Sequence, residues 1–376
     1  MNKKPRILII ENSVVFTGAF KAIYTSSLCL GKHYQFVFAI PKNSNVYKDC
    51  AQHFQTYELR FIELSKRLSH LFAYFPFLIY NSLKMKRIID REQIKIVHIN
   101  DYYNLIGVFI KILSPSTKII THVRFLPSKH PYLLSCFWQL VAQMISEKVI
   151  CMSESIHNEL TASKKATVIY DRIIENVENF GRKQIPTRNS SIVKLLYLGH
   201  FIPGKGQDYA LEAFWIAYKK APNLRLRFVG GTTGLSKNSE FKKSLMIKTD
   251  EYGLGNVVTF DNQSNDVEKE IRKADILLNF SESESFSFTC MEALYYGTPL
   301  IASDCGGPAE LFKHGESGTL VDNRDIKSMA AAIVQLATNP GLREKYISNG
   351  REYIDRKFSE INTTLKLKSI YDTFIG

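Results

Sequence analysis

The stretch ILLNFSESESFSFTCMEALYYGTP, residues 276–299, decides the fold class of the second half of the chain. Its opening run, Ile276–Phe280, predicts a buried strand, and Phe288–Tyr296 predicts a short helix. A polar loop joins the two. The first turn of a helix leaves backbone N–H groups unpaired at the positive end of its dipole, so this loop would attract an anion such as a diphosphate.

The same alternation of short apolar runs and longer amphipathic stretches occurs on both sides of this stretch. The other predicted strands are Ile7–Ile10, Gln35–Ile40, Ile94–Ile99, Lys118–Thr121, Lys148–Cys151, Lys194–Leu198, Arg225–Val229, Val257–Phe260 and Pro299–Ala302. The other predicted helices are Phe77–Arg91, with Pro76 in its first turn, Leu133–Ile145, Asp208–Lys220, Val267–Lys273, Asp325–Thr338, Pro340–Arg356 and Ser359–Phe374. This alternation is typical of parallel α/β sheets.

A chain of 376 residues is long enough for two such domains. A polar stretch without periodicity, Asn176–Ser191, predicts the linker. We therefore predict an α/β fold of two Rossmann-like domains that face each other across a cleft. Residues 1–185 form the first domain and 186–356 the second, and a helix within 357–376 returns to the first.

Charge is distributed unevenly over the chain. Residues 1–190 contain 26 Lys and Arg against 13 Asp and Glu, whereas residues 191–376 contain 23 of each kind. The basic half favours an anionic partner, and a lysine-rich genome explains the same excess equally well. No nucleic-acid-binding motif accompanies the charge, so we predict no nucleic-acid partner.

Six scattered cysteines, without a C-x-x-C pair, predict reduced thiols in the cytoplasm. The first ten residues lack the apolar length of an export signal. The apolar run Leu71–Tyr80 is too short to span a bilayer, which takes about 20 residues. Basic and apolar residues alternate around residues 60–91 and 124–129, as expected either for a face that lies on anionic lipid or for an ordinary solvated face.

The polar loop carries the candidate site residues. Glu284 lies just before the predicted helix and Glu292 within it. An ionised carboxylate only accepts hydrogen bonds, so both suit the hydroxyl groups of a sugar or a ribose. The alternative for Glu292 is an ordinary exposed position on the helix.

The ordered string of Glu284, Glu292, Gly306, Gly307 and Glu310 resembles the signature of glycosyltransferase family 4, the group 1 retaining enzymes of the GT-B fold. The resemblance is close over roughly residues 194–340 and loose in the first half. It implies that Glu284 contacts the donor sugar during catalysis and that Glu292 holds the nucleotide ribose. The further donor-site residues that it implies are Ser285, Phe286, Ser287, Gly306 and Gly307.

A second motif agrees with the resemblance. Residues 198–206, LGHFIPGKG, resemble the family's loop Gly-Arg-x4-Lys-Gly, which makes Lys205 the ligand of the diphosphate. His200 stands where the family usually has Arg, and it is either a phosphate ligand or a loop histidine bonded to the backbone. Gly230 follows the strand Arg225–Val229, and the resemblance implies that this glycine lies near the nucleotide base.

The first half offers weaker candidates at strand ends. Gly18 opens a helix after the first strand, where its backbone could approach the donor closely. His122 matches a histidine that contacts the donor sugar in the family. His98, Asp101 and Arg124 are candidates for the acceptor side, with an ordinary polar role in the fold as the alternative.

The resemblance implies a retaining, hexosyltransferase-like glycosyltransferase. The sugar would pass from a nucleotide-diphosphate sugar, UDP- or GDP-linked, to a glycan or lipid-linked acceptor in the synthesis of a bacterial capsule, O-antigen or lipopolysaccharide. No Asp-x-Asp occurs, so we predict that the reaction needs neither a metal nor a cofactor. The alternatives are a nucleotide-sugar epimerase, an inverting transferase and a non-catalytic partner subunit of the same fold.

Overall fold

A computed structural model describes residues 4–60, 68–161, 163–173 and 191–375; the side chains of residues 68–73 are also left undescribed. The chain forms two compact units, one of residues 1–174 and 360–376, the other of residues 175–359. The predicted linker, 176–191, lies outside the described residues except for Ser191, and so does the predicted boundary at residue 185.

The first unit is built on a parallel sheet. Its strands are β1 (Arg6–Ile10), β2 (Gln35–Pro41), β3 (Gln55–Leu59), β4 (Ile94–Ile99), β5 (Lys118–Val123), β6 (Lys148–Cys151) and β7 (Ala166–Val168), in the spatial order β3-β2-β1-β4-β5-β6-β7. Its helices up to residue 160 are α1 (Gly18–Leu30), α2 (Tyr47–His53), α3 (Leu68–Glu92), α4 (Ile106–Leu113), α5 (Tyr132–Ile145) and α6 (Glu154–Glu159), with a 3-10 turn at Pro127–Lys129.

Apolar side chains of this sheet pack on both faces, which explains why its central strands, β1 and β4 to β6, are mostly apolar. One face packs against α1, with Phe20 and Ile23 in its core. The other packs against α3 and α4, with Met85 and Ile110 in its core. The strand order reverses direction at β1, so the loops after β1 and β4 meet at the carboxyl edge of the sheet, where such folds bind ligands.

The second unit repeats this plan. Its strands are β8 (Val193–Leu198), β9 (Leu224–Val229), β10 (Val258–Asp261), β11 (Ile276–Asn279), β12 (Leu300–Ser303) and β13 (Thr319–Val321), in the spatial order β10-β9-β8-β11-β12-β13 and parallel throughout. Its helices are α7 (Gln207–Tyr218), α8 (Ser236–Glu251), α9 (Val267–Lys273), α10 (Phe288–Tyr296), α11 (Ile326–Thr338) and α12 (Pro340–Lys357), with a 3-10 turn at Gly307–Glu310.

The last helix, α13 (Thr364–Ile375), belongs to the first unit. Its Leu367 and Tyr371 enter the core that α1 also covers. The predicted return of a C-terminal helix to the first domain and the fold class of two parallel α/β domains are therefore confirmed.

Two details of the predicted helices were wrong. The last helix begins at Thr364, not at Ser359, because residues 360–363 form a turn in which Thr363 N–H donates to Glu360 O over 3.4 Å. Pro76 lies inside the long helix α3 instead of in a first turn. It is exposed, so water can satisfy the carbonyl that a proline leaves without a partner.

Candidate functional site

The loop between β8 and α7 places Lys205 at the carboxyl edge of the second sheet. Gly204 and Gly206 flank it with φ angles of 87° and 80°, in the left-handed region that favours glycine. A Cβ at Gly206 would lie 2.0 Å from the carbonyl oxygen of Phe280. Only glycine at this position allows the start of α7 to lie against the end of β11.

Lys205 and Glu284 form an ion pair, with 2.7 Å between Lys205 Nζ and Glu284 Oε1. The hydroxyl of Ser281 donates to the same oxygen over 2.9 Å. Burial disfavours the charged lysine, but the Glu284 carboxylate outweighs that effect and raises the pKa of Lys205. The two residues that the sequence assigned to the donor diphosphate and the donor sugar thus lie in direct contact.

Backbone bonds hold Glu284 beside the glycine pair that follows β12. Glu284 N–H donates to Cys305 O over 3.2 Å, and Gly307 N–H donates to Glu284 O over 2.8 Å. A Cβ at Gly307 would lie 2.3 Å from the backbone nitrogen of Phe286. Gly306, at φ 111°, makes the turn that brings these two loops together. The glycine pair therefore fixes the position of the Glu284 loop.

The remaining loop residues have different surroundings. Phe286 is buried against Phe288 and Phe358, with ring centroids 5.8 and 5.7 Å apart, so its side chain belongs to the core. Ser287 caps α10, with its hydroxyl accepting from Cys290 N–H over 3.4 Å. Its φ of 82° is rare outside glycine and asparagine, and such strain is common at functional loops. Ser285 precedes both residues and is half-buried.

Glu292 lies on α10 and is only 5% exposed. An ordinary exposed helix position is thereby excluded. Charged side chains are rarely buried without a specific partner. The burial of Glu292 therefore indicates a specific role for this carboxylate, unlike the solvent-facing acids of other helices.

His200 and Gly230 lie near each other at the ends of β8 and β9. A Cβ at Gly230 would lie 1.9 Å from Gly199 O, so this glycine permits a close backbone approach. The Nδ1 atom of His200 is buried and, among the described residues, has no hydrogen-bond partner. The His200 backbone carbonyl accepts from Gln207 Nε2 over 2.8 Å. The His200 side chain is thus not bonded to the backbone through Nδ1, and both readings of this histidine stay predictions.

In the first unit, His98 and His122 stack at the ends of β4 and β5, with ring centroids 5.6 Å apart. Tyr371 of α13 forms a hydrogen bond of 2.6 Å with His98 Nδ1. Burial, reinforced by Arg124, lowers the pKa of His98 to about 3. The same causes lower the pKa of His122 well below its usual value. Both rings are therefore neutral at pH 7.

Neither ring nitrogen of His122 has a hydrogen-bond partner in the described part of the chain. His98 has a partner at Nδ1, the hydroxyl of Tyr371, and its Nε2 is buried without a hydrogen-bond partner among the described residues. His122 differs, because two buried nitrogens without partners cost free energy that a bound ligand or water would recover.

Arg124 is buried in an ion pair inside the first unit. Its Nη1 donates to both carboxylate oxygens of Asp171, over 2.8 and 2.6 Å, and its Nε donates to Asn100 Oδ1 over 3.0 Å. Asn100 in turn donates to Glu11, whose other oxygen accepts the N–H group of Ser13 over 2.9 Å. This network joins the ends of β1, β4 and β5, which gives Arg124 a positioning role for the loop after β1.

Asp101 is buried beside this network. Burial, followed by the nearby charge of Glu11, raises the pKa of Asp101 well above its usual value, and the hydroxyl of Tyr103 donates to its carboxylate. Gly18 is exposed at the first position of α1, after the cap Thr17, which accepts from Phe20 N–H over 3.1 Å.

Sequence reasoning missed several residues that build these sites. Tyr197 is the clearest, because its hydroxyl donates to Lys205 O and accepts from Phe280 N–H over 2.9 Å. Tyr371 and Asp171 are further examples, since each bonds to a candidate residue far away in the chain. Only Tyr197 left a signal, as a tyrosine in the mostly apolar strand β8, which ends at the candidate loop.

Two kinds of feature are absent from the described ranges. They contain no group of three or more His, Cys, Asp or Glu side chains placed to hold a metal ion. None of the helices within them combines the length and the apolar character that crossing a membrane requires.

The second unit of the chain is similar to a known family of proteins. Residues 182–353 match the family "Glycosyl transferases group 1". This match covers the unit that contains Lys205, Glu284 and Glu292. It supports a group 1 glycosyltransferase.

Curated relatives agree with the family match. An uncharacterised glycosyltransferase of Methanocaldococcus jannaschii is 25% identical over 295 residues, which is 76% of this chain and 78% of the relative. A D-inositol 3-phosphate glycosyltransferase of Thermobispora bispora is 32% identical over 184 residues, 47% of this chain and 42% of the relative. The match thus spans less than half of that enzyme. The capsular polysaccharide biosynthesis glycosyltransferase CapM of Staphylococcus aureus is 23% identical over 258 residues, 65% of this chain and 66% of the relative.

Among solved structures, Anabaena HepE in complex with UDP and glucose resembles this chain with a TM-score of 0.79 and 16% identity, over 97% of this chain and 99% of HepE. This likeness shows the fold, which is the GT-B fold of two Rossmann-like domains.

Proposed function

We propose that this protein is a retaining glycosyltransferase that takes a sugar from a nucleotide-diphosphate sugar. The observation that carries the proposal is the Lys205–Glu284 ion pair at the end of β11, beside the start of α10. A cation and the N–H groups of a helix start are suited to a diphosphate, and a neighbouring carboxylate is suited to sugar hydroxyls. The UDP complex of HepE supports a uridine donor, with GDP as the other candidate nucleotide.

In the reaction we propose, the bond between the anomeric carbon of the sugar and the diphosphate oxygen breaks while an acceptor hydroxyl forms the new bond on the same face. The hydroxyl proton passes to the leaving phosphate. Lys205 and the N–H groups at the start of α10 stabilise the charge that develops on the diphosphate, and Glu284 orients the sugar. Glu292 holds the ribose, and Gly230 leaves room for the base.

The other site residues receive roles in this proposal from the resemblance and from their surroundings. His122 contacts the donor sugar, and its unbonded ring nitrogens support that role. Asp101 and His98 lie on the acceptor side, and Arg124 positions the loop after β1. Ser285, Ser287, His200 and Gly18 border the phosphates, and Phe286, whose ring is in the core, contributes through its backbone.

For the acceptor we propose a glycan or a lipid-linked glycan of the bacterial cell surface, since the relative CapM is a capsular polysaccharide enzyme. We place the reaction in the cytoplasm, and the six free thiols support this proposal. We further propose that the reaction is independent of metal ions, because the positive groups near the diphosphate belong to the protein. Added EDTA should then leave transfer within about twofold of its starting rate; loss of transfer, restored by a divalent ion, would refute this.

A thermal-shift screen tests the donor proposal. A ligand that binds only the folded protein raises its melting temperature, by an amount set by its concentration relative to Kd. We expect UDP and one UDP-sugar, or GDP and one GDP-sugar, to raise the melting temperature, whereas uridine or guanosine alone has little effect. A screen in which no nucleoside diphosphate shifts the melting temperature contradicts the proposal. Proton NMR of the product then separates a retained anomeric configuration from inversion or epimerisation.

A further inference from the structure

Helix α5 has an unusual sequence for a surface helix. Between residues 125 and 146, Lys129 is the one charged residue among Lys, Arg, Asp and Glu. The inner side of the helix is firmly packed, because Trp138 contacts the rings of Tyr102 and His130, with centroids 6.0 and 5.2 Å apart. Packing against the core explains why the inner side of α5 is apolar. It does not explain why the outer side is apolar as well.

The outer side of α5 presents an apolar stripe to solvent. Leu133, Phe137, Leu140 and Met144 are spaced four, three and four residues apart, which places them along one face of a helix. All four are exposed, Leu133 by 81% and Met144 by 71%. A soluble helix normally carries charged residues at such positions.

The apolar surface continues on the neighbouring helices. Helix α4 contacts both α3 and α5, so the three helices lie side by side on one face of the sheet. Ile112 of α4 is exposed, as are Phe75, Ile79 and Leu83 of α3. We call these residues, with the stripe of α5, the α3–α5 face. Exposed apolar residues that cluster on neighbouring elements mark sites of interaction with proteins or membranes.

Basic side chains border the α3–α5 face. Arg60 lies over the ring of Tyr80 on α3, 5.5 Å from its centroid. Arg87 continues the outer side of α3 beyond Leu83, and Lys129 precedes α5; both are exposed. This border belongs to the half of the chain with twice as many basic as acidic residues. Exposed apolar side chains bordered by cations fit the interface of a bilayer that contains anionic lipids.

We propose that the α3–α5 face lies on an anionic lipid bilayer, with the α5 stripe in the interface and the basic border at the headgroups. The border decides against a second copy of this chain, because two copies joined through this face would bring like charges together. The stripe alone would suit either partner.

The position of α5 suggests a role for the contact between the α3–α5 face and lipid. This role rests on the proposed function. Trp138 packs on Tyr103, with ring centroids 5.9 Å apart, and Tyr103 donates a hydrogen bond to Asp101. The acceptor-side residues of the first unit are thus coupled by direct contacts to the surface that would meet the lipid. A lipid-linked acceptor would be held close to Asp101 without a separate docking site.

Vesicle sedimentation tests the proposal on the full chain. The probes are vesicles of phosphatidylcholine alone and vesicles of phosphatidylcholine with phosphatidylglycerol. We expect the protein to sediment with the mixed vesicles at low salt and to be released at high salt. The double variant Leu133→Gln/Leu140→Gln should bind them at least about tenfold more weakly, because two apolar side chains are removed from the interface.

The matched control is Met246→Gln/Ile247→Gln on α8 of the second unit, where both residues are also exposed and lysines are nearby. It should bind vesicles like the wild type. Both double variants should melt like the wild type, since exposed substitutions rarely affect folding. Absence of wild-type binding, or equal loss in the two double variants, overturns the proposal.

Two further measurements distinguish a lipid-binding surface from a dimer interface and from the donor site. If light scattering shows a wild-type dimer that Leu133→Gln/Leu140→Gln dissociates, while vesicles bind neither protein, the face joins two copies and the proposal is overturned. The melting temperature with and without UDP or GDP is recorded for every protein. If the wild type binds nucleotide but not vesicles, the lipid-surface proposal is overturned and the proposed function stands. If it binds vesicles but no nucleotide, the lipid-surface proposal stands and the proposed function is overturned.

Discussion

Replacing Glu284 by glutamine should change nucleotide binding and catalysis in opposite directions. The substitution keeps the shape of the side chain and removes the charge that is paired with Lys205 over 2.7 Å. A free nucleoside diphosphate carries no sugar for Glu284 to orient. It meets Glu284 only as a neighbouring negative charge and as a competitor for the lysine. We therefore expect Glu284→Gln to bind the diphosphate more tightly and to transfer sugar more slowly.

The size of the binding effect follows from the geometry. Opposite charges about 4 Å apart interact by about 4 kcal/mol at the effective dielectric constant of about 20 near a protein surface. Lys205 keeps 40% of its side chain exposed and Glu284 16%, so solvent screens the pair. Exposed pairs contribute about 0.2 to 1 kcal/mol net. Taking about 1 kcal/mol, we expect the Kd of the diphosphate to fall about fivefold.

Isothermal titration at low salt measures this Kd, and turnover of the nucleotide sugar measures catalysis. We expect turnover of Glu284→Gln to fall at least about a hundredfold, as for other residues that stabilise a transition state. Lys205→Met should instead weaken diphosphate binding at least about tenfold, because a charge-assisted hydrogen bond is lost. The control is Glu282→Gln, two residues away in the chain. The Glu282 carboxylate pairs with Arg324 over 2.6 Å, whereas Lys205 pairs with Glu284, so this substitution should leave the Kd of the diphosphate unchanged. If Glu284→Gln weakens diphosphate binding, Glu284 does not compete with the diphosphate for Lys205. If this variant turns over like the wild type, Glu284 does not orient the donor sugar.

Three further predictions concern the parts of the fold that hold the sites. Gly206→Ala places a Cβ 2.0 Å from Phe280 O, so urea unfolding should show a loss of more than about 2 kcal/mol, and an unchanged midpoint would contradict the close approach. Arg124→Met leaves Asp171 buried without its partner and should cost about 3 to 5 kcal/mol, most of which Arg124→Met/Asp171→Leu should recover; equal losses would contradict the role of the ion pair. The pKa of His98 is about 3 in the folded protein and near 6.5 when unfolded, so the unfolded chain binds more protons between these values. The free energy of unfolding should therefore rise with pH through this window, with the His98 contribution about 3 kcal/mol lower at pH 4 than at pH 7. Urea unfolding measures this dependence on pH, and His98→Asn should flatten it.

The sequence was informative wherever local pattern and function coincide. The run 276–299 predicted the strand, loop and helix that contain Glu284 and Glu292, because a buried strand and a short helix differ in apolar length. The glycines at 204, 206, 306 and 307 were informative for a physical reason that the structure shows. At Gly206 and Gly307 a side chain would collide with backbone, so these positions leave a mark in the sequence.

Other features depend on contacts that no local pattern encodes. The bond between His98 and Tyr371 joins residues 273 positions apart. The burial of Arg124 depends on Asp171, and its basic character in the sequence suggested a surface role. Strand β3, Gln55–Leu59, and helix α8, Ser236–Glu251, were missed because both are largely polar. Most residues of these two elements are polar and at least partly exposed, so their sequences show no clear apolar periodicity. Packing of their few inner residues against the rest of the fold stabilises the strand and the helix.

Sugar transfer itself tests the proposed function most directly. The nucleotide sugar selected by the thermal-shift screen, labelled in its sugar, is incubated with the protein and bacterial membranes that supply the acceptor, and label is counted in the lipid and polymer fractions. We predict that the wild type transfers label, that Glu284→Gln loses at least about 99% of this transfer, and that Glu282→Gln retains it. Transfer by Glu284→Gln at the wild-type rate, or none by the wild type with any nucleotide sugar that it binds, would contradict the assignment of this chain as a glycosyltransferase acting through the Lys205–Glu284 site.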